Sequence, residues 1–292
     1  MAYYTGSAND MAAVRSALVD ACVAEGWAWN EVTEVLSKGA MFLRLQVVSG
    51  YLSLLGRTSA ASGDAPNVVR LGQIGSVPIV FPLTYEVFAF ESEVYLVCRY
   101  SIDFYQWCAF GNSTIQGLPG SGMWLGASIG SLAADGGIRI DPESSNNGAS
   151  HTTGALFWYT QNNGLSNRNS FVHSDLDGQG WALSQTLGAS YVGPGPLAPL
   201  ISVLPSRWNS EAVLLPLRSW KVRPSSKLSL TSELEHARYT RIDNYVPGEV
   251  VSIGPDRWKV FPWYRKDTSA RNGGNNIDHT GTFGWAIRYE GP

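Results

Sequence analysis

"LTYEVFAFESEVYLVCRYSIDFYQWCAFG", residues 83–111, is the stretch that decides the fold class. Val94, Leu96, Cys98 and Tyr100 share one face of an extended chain, and Tyr95, Val97 and Arg99 share the other. A period of two over so many residues is a strand signal, because successive side chains in a strand point to opposite faces. The spacing predicts two strands around Glu91-Ser92-Glu93 and a third from Phe104 to Phe110. Both faces are largely apolar, so this meander is expected to be covered on both sides rather than wetted on one.

Working outward, the segment before it changes period. In "SANDMAAVRSALVDACVAEGW" the residues Met11, Val14, Leu18 and Cys22 recur at helical spacing. Ser7, Asn9 or Asp10 can cap its start and Gly26 can end it, which predicts a helix over residues 9–25. "AMFLRLQVVSGYLSLLG" then reads as a hairpin turning at Ser49-Gly50. On the other side, residues 111–200 hold 16 of the 31 glycines, with few charges and short apolar pieces such as "GMWLGAS". A loop-rich Gly/Asn lobe, closed by the proline-stiffened "YVGPGPLAPL", fits that composition. The strand pattern returns in "SEAVLLPLRSWKVRP", "HARYTRIDNY", "GEVVSIGPDRWKVFPWY" and "TFGWAIRY".

The expected fold is therefore mainly β, with antiparallel, sandwich-like sheets, one N-terminal helix and a Gly/Asn-rich lobe. Three regions follow: 1–110 (helix plus meander), 111–204 (lobe) and 205–292 (a second β part that could share a core with the first). Residues 1–204 carry 8 Lys/Arg against 15 Asp/Glu, and residues 205–292 carry 13 against 9. The total of −3 argues against a polyanion-binding surface. Three cysteines without a paired spacing do not make a disulfide framework. No signal peptide and no apolar run long enough for a membrane span is visible, so cytoplasmic synthesis is expected.

"GPDRWKVFPWYRKD" (254–267) interleaves bases with aromatics, as a nucleic-acid groove would. Strand alternation explains it more simply: Trp258 and Val260 point one way, and Arg257 and Lys259 point the other. Pro262 cannot donate to a ladder and implies an edge or a bulge. Trp258, Phe261, Trp263, Tyr264 and Arg265 are then candidate subunit-interface residues. Trp124, Trp158 and Trp181 are candidate glycan contacts, because aromatic faces stack on pyranose rings. "GASIG" places Ser128 in a G-x-S-x-G pattern, but the run after it lacks the helix a nucleophile elbow requires. "DLDGQG" opens like a calcium loop at Asp175 and Asp177 without the later ligands. The four histidines, His151, His173, His236 and His279, have no metal-ligand spacing. No catalytic, cofactor or metal residues are assigned.

Taken as a whole, "MAYYTGSANDMAAVRSALVDACVAEGW", "VLSKGAMFLRLQV", "VYLVCRYSIDFYQWCAFG", "GLPGSGMWLGAS" and the run from Ala237 to Tyr289 resemble a family of tailed-bacteriophage virion proteins. The resemblance implies a non-enzymatic structural component of a virion, in the tail, baseplate or neck. It further implies several copies assembled with one another and with other tail proteins; nucleic acid and membrane are left out as partners by the net charge and the lack of an apolar span. A receptor- or glycan-binding module on the outside of the tail is the alternative. The resemblance brings no functional residues with it.

Overall fold

The structure is a computed structural model; it describes residues 1–73, 78–129, 170–178, 180–183, 214–269 and 281–292. The chain is mainly β, in three antiparallel sheets. The central sheet contains the opening meander, β7 (Leu83–Ala89), β8 (Glu93–Ser101) and β9 (Phe104–Asn112). It is extended on one side by β1 (Ala2–Ala8) and on the other by β10 (Met123–Ala127), β11 (Ser170–His173) and β12 (Trp181–Leu183), giving the order β1-β7-β8-β9-β10-β11-β12. Part of the region read from sequence as a loop lobe is thus core sheet. Trp124, Leu125 and Phe171 are fully buried in it.

A second sheet is a sequential meander of β2 (Ala28–Asn30), β3 (Val35–Lys38), β4 (Met41–Val48), β5 (Tyr51–Arg57) and β6 (Val69–Leu71). Its β4–β5 hairpin turns at Ser49-Gly50, with φ of 52° and 81°. Two successive positive φ values match the right-handed twist of the flanking strands, and glycine takes one without steric cost. The third sheet has the order β13-β14-β17-β16-β15, from β13 (Leu215–Arg223), β14 (Lys227–Arg241), β15 (Val250–Ile253), β16 (Asp256–Pro262) and β17 (Phe283–Arg288).

Helix α1 (Met11–Ala24) starts at Asp10, whose carboxylate accepts the Ala13 N–H at 2.7 Å. It ends where Gly26 turns out of the helix with φ +83°. Met11, Val14, Leu18 and Cys22, the stripe read from the sequence, are all buried. The helix packs on β1, β7, β4 and β5, so that α1 and the second sheet together cover one face of the central sheet. Val87, Leu96, Cys98, Cys108 and Leu125 point to that side, as the strand registers dictate. Each buried aliphatic side chain is worth about 1.5–3 kcal/mol of transfer free energy.

The third sheet covers the opposite face, and there the packing is aromatic. Phe88 lies 6.0 Å from Phe261, Tyr95 lies 5.8 Å from Trp285, and Trp107 lies 5.3 Å from both Trp263 and Trp285. Residues from 1–127 and from 217–289 belong to one continuous buried cluster, so the first and last thirds of the chain share a core. The meander is covered on both faces, as its two apolar faces require.

Candidate functional site

Two polar joints cross the aromatic interface. The first is built on Glu93, at the start of β8, whose carboxylate is completely buried. It accepts four hydrogen bonds: Tyr95 Oη at 2.7 Å, the Glu235 N–H at 2.8 Å, the His236 N–H at 2.9 Å and His236 Nδ1–H at 2.9 Å. Three of these donors belong to β14, at the place where its pairing breaks. β17 covers β14 only from Ala237 onward, and the β13 register shifts between Pro216 and Arg218. The irregular backbone needs partners for donors and acceptors alike. Glu93 takes the N–H groups, while Arg238 Nη1 donates to the carbonyls of Leu234, Glu235 and Ala237 at 2.8–2.9 Å. The His236 ring stacks on Phe90 at 3.8 Å, and the Arg238 guanidinium lies over Trp258. Burial, reinforced by the Glu93 charge, drives the Tyr95 phenol well above its ordinary pKa. Sequence reading passed over Glu93 because a charge next to a turn normally faces water.

The second joint is Lys259, in the stretch that alternates bases with aromatics. Alternation is observed, but its polarity is the reverse of what residue type suggests. Arg257 and Lys259 point toward the central sheet, while Trp258 and Val260 lie on the outer face under Ile242 and Tyr245. Lys259 Nζ bonds Glu86, donates to Tyr3 Oη at 3.1 Å and sits among the rings of Tyr3, Phe261 and Tyr289. Burial alone would lower the ammonium, but the bonds to Glu86 and Tyr3 outweigh it and raise the pKa. Burial and Glu86 likewise raise the Tyr3 phenol.

The candidate interface residues are corrected by this geometry. Trp258, Phe261, Trp263 and Tyr264 are buried within the chain, and Trp263 stacks on Trp285 at 4.7 Å. Only Arg265 of the five is exposed, with its guanidinium over Phe104. Pro262 closes β16, paired with Gly284 and beyond the residues that pair with β15. Its missing N–H costs no ladder bond on the β15 side.

Of the candidate glycan contacts, Trp124 is fully buried and presents no stacking face. Trp158 lies outside the described residues. Trp181 is half-buried; its Nε1–H donates to the Gly63 carbonyl at 2.8 Å, and its ring edge fills the space over Gly56 where a Cβ would stand. Ser128 is no exposed nucleophile: it is buried, and its Oγ accepts the Trp107 N–H at 2.8 Å, continuing the β9–β10 ladder. Asp177 bonds Arg223 through both carboxylate oxygens, which holds its pKa below the usual range. His151 and His279 lie outside the described residues.

One constellation went unrecognised in the sequence. In "PGSGM", Ser121 sits between Gly120 and Gly122, whose φ angles are +93° and +70°. Both its backbone N–H and its Oγ lie 2.9 Å from His173 Nδ1. A serine–histidine contact suggests a nucleophile and its base, but the main-chain N–H already occupies the single Nδ1 lone pair. The geometry therefore fastens a loop rather than activating a hydroxyl. Fifty-two residues separate the pair, and no local pattern joins them.

The thiols of Cys22, Cys98 and Cys108 are free and buried; burial pushes all three up, Cys98 to about 12. Among the described residues no group of three or more His, Cys, Asp and Glu side chains could hold a metal, and no helix is long and apolar enough to cross a membrane. The exposed apolar side chains include Val246, Val250 and Ile253, on or beside β15, which is an edge strand. No protein-family model and no curated protein sequence matches this chain.

Proposed function

We propose that the protein is a non-enzymatic structural subunit of a bacteriophage virion, assembled in several copies within the tail, baseplate or neck. The observation that carries this reading is the extent of the sequence resemblance. Its segments run through α1 and β1, through β3 and β4, through β8, β9 and β10, and through β14 to β17. They therefore span all three layers of the fold rather than one module. The edge of β15 supports it: a strand that among the described residues pairs only with β16, and that exposes Val250 and Ile253, is a surface on which another chain can add a strand. The opposite charge balance of residues 1–204 and 205–292 suits head-to-tail contacts between identical subunits.

Light scattering over a dilution series tests it. A discrete multimer is expected, and replacing Val250 and Ile253 together by Lys should shift the distribution toward monomer, because charges on an edge block strand addition. A wild-type monomer at every concentration would count against the reading.

A further inference from the structure

We propose that His173 is an acid-sensitive latch: neutral, it pins the Ser113–Gly122 loop to β11, and protonated, it releases that loop. This rests on the Ser121–His173 geometry and not on the assembly reading.

The loop joins β9 to β10 and is tied down along its length. Ser113 N–H donates to the Gly122 carbonyl at 2.8 Å, and Gly122 N–H donates to the His173 carbonyl at 3.0 Å. Asp175 N–H donates to the Pro119 carbonyl at 2.9 Å. At the centre, Ser121 N–H donates to His173 Nδ1. A hydroxyl could rotate to accommodate a new proton, but a main-chain N–H cannot. A proton on Nδ1 would set two donors against each other at 2.9 Å, and imidazolium donates from both nitrogens. The loop has no slack to absorb this. A Cβ at Gly120 would stand 2.8 Å from the Asp175 nitrogen and 3.2 Å from His173 Nδ1, so backbone and imidazole are already in close contact.

Charges around the ring set the direction. Burial lowers the imidazole pKa below its ordinary 6.5, and the carboxylate of Asp175 opposes this weakly. Trp181, edge-on at 5.1 Å, brings no charge, and residues 113–122 contain no titratable side chain. Asp177 stands farther along the same turn, and Lys221 and Arg223 reach it from β13, where Lys221 bonds the Leu176 carbonyl and Arg223 bonds Asp177. A base whose pKa is lowered in the closed state favours closure above the open-state value. Closure therefore weakens as pH falls below about 6.5.

Release would be felt beyond the loop. Ser113 Oγ donates to the Thr231 carbonyl at 2.8 Å, on the part of β14 that β17 does not cover. The latch thus couples β11 to the β13–β14 hairpin.

Amide hydrogen exchange on the full chain between pH 8 and 5, corrected for intrinsic exchange, tests the proposal. Peptides covering 113–122 should lose about tenfold of their protection as His173 titrates, the effect of losing roughly one net hydrogen bond. Peptides from β8 and β9 should hold theirs, which separates latch opening from unfolding. His173→Asn places an acceptor that takes no proton near Nδ1, and it should abolish the transition. A flat wild-type profile, or a transition that persists in H173N, would overturn the latch. The wild-type profile alone can do so even where the variant folds poorly.

Discussion

The two faces of the central sheet are both buried, yet they are built differently. Toward α1 and the second sheet the contacts are largely aliphatic, with Leu18, Leu45, Leu54, Val87 and Leu96 fully enclosed. Toward the third sheet they are aromatic, stitched by Glu93 and Lys259. Aliphatic packing is non-directional and answers mainly to volume. Aromatic rings have preferred geometries and polar handles, and a buried carboxylate with four donors accepts only one arrangement of its neighbours. The first interface therefore supplies burial, while the second also fixes register and orientation.

Removing the buried carboxylate should separate the two faces most sharply. Glu93→Ala leaves three donors of β14 and the Tyr95 hydroxyl unpaired in a dry interior, and a loss of about 3–5 kcal/mol is expected. Chemical denaturation measures it. A loss below about 1 kcal/mol would mean that water or a shifted β14 replaces the carboxylate, and the contrast between the faces would fail. Leu18→Ala on the aliphatic face removes volume alone, and a smaller loss of about 2–3 kcal/mol is expected. The near-ultraviolet circular dichroism of the aromatic interface should stay intact in that variant and change in the Glu93 variant.

The smallest effect concerns Lys259. Lys259→Met should cost about 1–2 kcal/mol at neutral pH by removing charged hydrogen bonds to Glu86 and Tyr3. Both Lys259 and Tyr3 have raised pKa values in the fold. Their stabilisation is complete below the unfolded values near 10 and is lost as pH rises through the higher folded ones. Wild-type stability should accordingly fall above about pH 10, and the gap to the Met variant should narrow there. A gap that stays constant with pH would show that Lys259 contributes through its methylenes rather than its charge.

Much of the local structure was legible in the residues. The α1 stripe, its Asp10 cap, the Ser49-Gly50 turn and the strands around Glu91-Ser92-Glu93 each follow from neighbours within a few positions. β1 was missed because "AYYTGSA" mixes small, polar and aromatic residues at a sheet edge where only one side is paired. β10 and β11 were missed because "GMWLGAS" and "SFVH" are short and flanked by loop-like composition. Their burial comes from β9 and from each other.

The site was less legible than the fold. Trp258, Phe261, Trp263 and Tyr264 were assigned to a subunit interface because aromatics are enriched there, whereas the chain's own central sheet and the loop around Ile242 and Tyr245 claim them first. His173 and Ser121 carry no signature because their contact is made by a backbone amide, which every residue but proline possesses.

Sequence alone determined what depends on period and turn chemistry: a mainly β chain, a capped amphipathic helix, and a central meander with two apolar faces. Alternation says that Trp258 and Lys259 point opposite ways, but it is symmetric and cannot say which way is inward. Only the tertiary structure decided that Lys259 faces the core while Trp258 lies on the outer face, and that Glu93 is buried. The reason is that burying a charge is costly unless distant partners are already in place. Those partners, Glu86 and Tyr3 for Lys259 and His236 for Glu93, come from strands 143 to 256 residues away.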